Sequence, residues 1–130
     1  MSKNSLDNLI ENMSPELHSG DFVFVKVQGL AGIEPSEIIG FFREKEGITL
    51  ILPKGSADLR GLSYGLVCSW ITLNVVSDLQ DVGLTAAFSN ALAEEHISCN
   101  VIAGFNHDHI FIPKQDAEKA LRTLIELPQK

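Results

Sequence analysis

The apolar positions of this chain change period along its length, and the changes mark its elements. Leu6, Leu9, Ile10 and Met13 recur at helical spacing behind Ser5, a residue suited to an N-cap, and predict a short amphipathic helix over residues 5–13. The turn-rich stretch SPELHSGD separates it from FVFVKV at residues 22–27, whose β-branched and aromatic density predicts a strand. GLAGIEP, with two glycines and a proline, punctuates. Residues 38–43 and 48–52 then flank Glu44-Lys45-Glu46-Gly47 and predict a β-hairpin with a four-residue connection built around a type I turn. Pro53 ends the hairpin, and residues 56–61 suit one or two helical turns capped by Ser56.

From Leu66 to Val76 the period is two. Ile71, Leu73 and Val75 point to a uniformly apolar face expected to lie under helices, while Trp70, Thr72 and Asn74 form a mixed face suited to another sheet or a partner. The period lengthens again between Gly83 and His96, where Leu84, Ala87, Phe88, Ala91 and Leu92 trace one helical face. Strands are expected at 98–105 and 109–112 around Asn106-His107-Asp108. A last helix at 114–126 is expected to bury Ala117, Ala120, Leu121, Leu124 and Ile125. The order β-α-β-β-α is α+β and split-βαβ in character, with antiparallel sheet and helices on one face. Such a sheet has four strands and this segment supplies three, so the fourth is expected from the strand-rich first half. Two interlocked halves follow, residues 1–65 and 66–130.

Composition narrows the function classes. With 45% hydrophobic and 21% charged residues in 130, the chain suits one compact domain or two small modules sharing a core. Its longest uncharged run, residues 61–77, contains Ser63, Ser69, Thr72 and Asn74, which argues against a membrane span. Residues 1–20 lack the apolar core of a signal peptide, so a cytoplasmic location is expected. A net charge of −7 and scattered basic residues disfavour nucleic acid. Cys68 and Cys99 lie in apolar strand patterns and read as reduced, buried thiols.

Candidate chemistry concentrates in the DVGLT loop, residues 81–85. Gly83 lets backbone approach a ligand without an intervening Cβ, the first turn of the following helix offers amides and a dipole to a carboxylate, and Asp81 or Asp78 suits an ammonium. An ordinary strand-to-helix turn capped by Thr85 or Asp81 explains the same residues. His107-Asp108-His109 invites a metal reading, but zinc wants three or four ligands and His18 and His96 are distant in sequence; a polar hairpin turn accounts for it with less. No serine stands in a nucleophile elbow, and Cys99 sits where a thiolate is unfavourable, so no catalytic residues are expected.

The run from Trp70 through DVGLTAAFSNALAEEHISCNVIAGFNHDHIFIP resembles the ACT domain, in the variety found in small stand-alone ACT proteins and cytosolic arginine sensors and related to aspartokinase regulatory regions. GITLILPKG resembles the strand that such proteins carry upstream. The likeness spans residues 67–127 most strongly and extends over 20–66. It implies a ferredoxin-like ACT fold and a non-enzymatic sensor that binds an amino acid at an ACT–ACT interface, hence a homodimer; with the charge, hydropathy and ligand counts above, no cofactor, metal, membrane or nucleic acid is expected. The family's ligand positions fall on Asp81, Val82, Gly83, Leu84 and Thr85, and on Asn100, Val101 and Ile102. The alternative is a dimerisation module without a ligand.

Overall fold

In a computed structural model that describes residues 6, 10, 12–75 and 82–127, the chain alternates short strands with few helices. The elements run β1 (Ser14–Leu17), β2 (Phe22–Val27), a 3-10 turn (Pro35–Glu37), β3 (Gly40–Glu44), β4 (Gly47–Pro53) and α1 (Lys54–Leu59). They continue with β5 (Val67–Asn74), α2 (Leu84–Glu94), β6 (Asn100–Ala103), β7 (Asp108–Pro113), a second 3-10 turn (Lys114–Asp116) and α3 (Ala117–Glu126). The helix expected over residues 5–13 falls mostly outside the described residues, of which Leu6, Ile10 and Asn12 are helical. Two compact units divide the chain: a middle unit, residues 20–68, and a second made of residues 1–19 and 69–130.

In the middle unit β2 pairs with β4 along its whole length, from Phe22↔Pro53 to Val27↔Ile48. β3 lies outside β4, and the first residues of β5, Val67 and Cys68, pair with Val23 and Phe22 on the other side of β2. The period-two pattern works as expected: Val23, Val25, Leu50 and Leu52 turn to one face and pack with Ala57 of α1, joined by Ile33, Ile38, Leu62 and Tyr64. Arg60 ties the connections to this core. Its guanidinium bonds both carboxylate oxygens of Glu37 at 2.8 Å, and its Nη2 and Nε donate to the Gly32 carbonyl at 2.7 and 3.0 Å. The Glu34 amide and then Arg60 hold the Glu37 carboxyl below its usual value.

Two local expectations are corrected here. The hairpin is tighter than a four-residue connection, because Glu44 pairs with Gly47 and only Lys45 and Glu46 turn. Gly47 makes this possible with a φ of 151° in space where a Cβ would lie 2.8 Å from Gln28 Nε2. Ser56 caps nothing, because α1 already begins at Lys54 behind Pro53.

The second unit orders its strands β1-β5-β7-β6, with β1 antiparallel to β5 and β6 antiparallel to β7. The fourth strand, expected from the first half, is β1: Ser14↔Asn74 through Leu17↔Ile71. Its sequence, SPEL, had read as turn because polar residues and a proline suit turns; on an outer strand Pro15 loses no ladder donor that matters. Both helices cover one face. Leu84, Phe88 and Leu92 of α2 and Ala120 and Leu124 of α3 pack on Ile71, Leu73, Ile110 and Ile112. In α3 the buried stripe is rotated from the expected one: Thr123 is buried and Ile125 is 54% exposed. The Thr123 hydroxyl donates to the Lys119 carbonyl at 2.8 Å, which satisfies it inside the core. The fold is α+β, antiparallel sheet with helices on one face.

Candidate ligand site and the helix-free sheet face

α2 starts at Gly83, whose φ of 100° is left-handed and whose carbonyl accepts the first intrahelical bond from Ala87 N–H at 2.9 Å. Lacking a side chain, Gly83 leaves the first-turn amides uncapped from the N-cap position, at the positive end of the helix dipole. A Cβ on Gly83 would stand 2.9 Å from Leu6 Cδ2, a side-chain end that can shift, so it is the left-handed backbone that demands glycine.

The expected ligand residues part company along the element boundaries. Val82 is 87% exposed and Thr85 is exposed, while Leu84 is 3% exposed and belongs to the core. Asp81, like Asp78, lies outside the described residues. On β6, Val101 pairs with Ile110 and packs on the same core as Leu84. Asn100 and Ile102 pair with Phe111 and His109, which puts them on the opposite, helix-free face. Asn100 Nδ2 donates to the Phe111 carbonyl at 3.3 Å, and Ile102 is 40% exposed.

That helix-free face holds a cluster the sequence reading did not assemble. His18, just beyond β1, stacks on Trp70 with ring centroids 3.7 Å apart, and Phe111 lies 6.0 Å from Trp70. Trp70 Nε1–H donates to His109 Nδ1 at 3.1 Å. An indole nitrogen only donates, so His109 Nδ1 is an acceptor and the ring is the neutral Nε2–H tautomer. The Thr72 hydroxyl lies 3.0 Å from the same nitrogen and 2.7 Å from His18 Nε2, bridging the two imidazoles. Glu16 extends the chain, with Oε2 3.9 Å from His18 Nδ1 and Oε1 accepting from Asn74 Nδ2 at 2.9 Å.

Burial first, then His107 and His18, push the His109 pKa down, in agreement with the locked neutral tautomer. Burial raises the neighbouring Asp108 carboxyl. His107 turns its Nδ1–H to the Val75 carbonyl at 3.2 Å. The signal for the cluster was the mixed period-two face of Trp70, Thr72 and Asn74. His18 was the piece sequence distance concealed, 54 residues from Thr72. Among the described residues no three His, Cys, Asp or Glu side chains converge as a metal site requires, and no helix is long and apolar enough to cross a membrane.

Comparison with known proteins agrees with this architecture. The chain is 49% identical to a protein of unknown function, a possible transport protein, from Vibrio cholerae, with a TM-score of 0.85 over 96% of this chain and 97% of that one. A protein from Agrobacterium tumefaciens superposes at a TM-score of 0.68 with 14% identity, over 89% of each chain. The ligand-free regulatory subunit of aspartate kinase from Thermus thermophilus superposes at 0.63 with 12% identity, over 89% of this chain and 96% of its own. These last two likenesses are of fold. No curated protein matches. Two profiles, each of the ACT domain, match residues 2–69 and 66–126. The chain belongs to the ACT domain family, whose role is that of a regulatory module rather than an enzyme.

Proposed function

We propose that this chain is a cytoplasmic sensor that binds an amino acid or similar small zwitterion at an ACT–ACT interface of a homodimer, its two ACT modules being residues 1–65 and 66–130. The two family matches, which meet near residue 66, support the division. The observation that carries the ligand reading is the glycine-started first turn of α2, with Val82 and Thr85 exposed beside it. A carboxylate suits those amides, and Asp81 or Asp78 suits the ammonium group. Binding between two modules acts by favouring the paired state that holds the ligand.

A second reading, a pairing module without a ligand, draws on Leu6, whose side chain fills the space over Gly83 that a ligand would approach.

A thermal-shift series with the twenty amino acids separates the two. A ligand at about 100 times its dissociation constant adds about 2.7 kcal/mol, a rise of several degrees. Thr85→Glu places a negative charge in the first turn, where it favours the helix by about 0.3–1 kcal/mol yet repels a carboxylate. The expected result is a shift with one or a few amino acids that T85E abolishes without lowering the ligand-free melting point. No shift with any of them at millimolar concentration would favour the ligand-free reading, and a shift that T85E leaves intact would move the site elsewhere.

A further inference from the structure

β1 is the outer strand of the second unit and pairs with β5 alone among the described residues. Leu17 packs toward the core. On the helix-free side the end of β1 is held through His18, whose ring stacks on Trp70 and whose Nε2 lies 2.7 Å from the Thr72 hydroxyl. Trp70 is thus the floor on which this end rests, and it is fixed in turn by the bond from its Nε1–H to His109 Nδ1. The His109 ring lies close against Gly104, where a Cβ would stand 3.1 Å from its Nε2, so glycine clears its place.

We propose that protonation of His109 unlatches the end of β1, acting through Trp70 and His18, and makes this strand an acid-sensitive element of the second unit. The reason is the supply of acceptors. Neutral His109 takes the Trp70 N–H on Nδ1, whereas an imidazolium donates from both nitrogens, so no turn of the ring gives the indole its acceptor back. The acceptor within reach of the new Nδ1–H is the Thr72 hydroxyl oxygen, 3.0 Å away. The proton therefore transfers His109 from the indole to Thr72, and Trp70 must shift to bring its N–H to water. His18 then loses the ring it stacks on, and the 2.9 Å bond from its own N–H to the Trp70 carbonyl frays with it.

β1 and its end bring Glu16 and His18 to this face, and β7 brings His107 beside His109, with Asp108 at the alternate position. The positions of β5 and β6 that face His109 carry no titratable side chain. Burial opposes a charge on His109 most, His107 and His18 oppose it further, and Asp108 favours it. The latched state is therefore complete above about pH 6.5 and gives way as acid carries the protein through the lowered value of His109.

The latch belongs to the ligand-free chain and does not rest on the amino-acid reading. Trp70 is the chain's only tryptophan, so its indole N–H resonance reports this ring directly. NMR of the full chain without ligand, from about pH 7.5 to about pH 5, follows the His109 ring, the Trp70 indole and the exchange protection of the His18 amide, corrected for the intrinsic pH dependence of exchange. The expected result is a common midpoint and a loss of His18 protection of about tenfold, while the β2 amides paired with β4 keep theirs. His109→Asn sets a carboxamide oxygen that does not titrate near the place of Nδ1, and is expected to keep the His18 amide protected throughout. Protection of His18 that is unchanged across the range in the wild type overturns the proposal, as does a loss whose midpoint differs from that of His109. A loss that persists in H109N assigns the effect to Glu16, His18 or His107 and overturns it as well. If H109N does not fold, the wild-type midpoints decide by themselves.

Discussion

The two units of this chain set their strands in the same spatial order and differ in what lies over them. In the middle unit the order is β5-β2-β4-β3, with its first strand, β2, flanked by its third and fourth; in the other it is β1-β5-β7-β6, where β5 is flanked by β7 and, in the place of the fourth strand, by β1, the earliest strand of the chain. The helices do not match. In the second unit α2 and α3, eleven and ten residues long, follow β5 and β7; the middle unit makes do with a three-residue 3-10 turn and the six-residue α1. The sheet therefore tolerates loss of helix, but its exposed chemistry changes. Where helices are long, a helix start faces solvent near Val82 and Thr85. Where they have shrunk, Phe41, on the face of the buried Leu50, remains 41% exposed. One unit offers a helix terminus, the other a strand edge.

Truncating a phenylalanine in each unit tests this contrast with the largest effect. Phe88 of α2 is fully buried against the sheet, and Phe88→Ala should destabilise the chain by about 3–5 kcal/mol. Phe41→Ser should stay within about 0.5 kcal/mol in dilute protein. Urea midpoints at an unchanged slope measure both. A loss beyond about 1.5 kcal/mol for F41S would show that β3 is packed after all, and the contrast between the units would fail.

A smaller effect sharpens the contrast on the helix-free face of the second unit. Trp70→Phe removes the N–H donated to His109 Nδ1 and should lower stability by about 0.5–1.5 kcal/mol. The His109 pKa should rise in that variant, followed by NMR of the ring. In the wild type its folded value lies below the unfolded value of about 6.5, so the unfolded chain binds the proton more readily. The stability that neutral His109 contributes is complete above about pH 6.5 and drains away as acid carries the protein down through the lowered value. Asp108 has the opposite sign, since burial raises it: its contribution is present in stronger acid and is lost as pH rises through its raised value. His109→Gln should therefore lose less stability than the wild type between pH 7 and pH 5. Parallel curves would mean that the Trp70–Thr72–His109 bonds do not control titration.

How far these features were legible in the sequence follows the range of the interactions behind them. Period-two and helical patterns report the local environment of each side chain, so β2, β5 and α2 and the inward set Ile71, Leu73 and Val75 could be read directly. The need for a fourth strand was legible from topology, but its place was not. SPEL is four residues of mostly polar chain held by pairing to residues 71–74, and nothing local marks it as a strand. The same distance hid His18, whose partners Trp70 and Thr72 come from β5. In α3 the pattern named the stripe but not its rotation, because Thr123 satisfies its hydroxyl on the helix backbone and so can be buried where an apolar residue was expected. Gly83 was legible as a special position; Leu6 lying over it was not.

The smallest effect leaves stability untouched and uses the two native thiols as reporters. Both are free, Cys68 buried in the middle unit and Cys99 half-buried in the other. Burial raises both, Cys99 to about 11, so little thiolate exists at neutral pH. Alkylation of Cys99 at pH 7.5 should run about tenfold slower than that of an exposed cysteine, the scarcity of thiolate being partly offset by its higher nucleophilicity. Its rate should climb steadily as pH approaches 11. Cys68 is 1% exposed and must wait for β5 to open, so its rate should respond to sub-denaturing urea, in proportion to the surface that opening exposes. If the helix-poor unit opens more readily, Cys68 will accelerate at urea concentrations that leave Cys99 unchanged. Equal acceleration of both would mean that the units open together, and that the difference in their helices does not divide their stability.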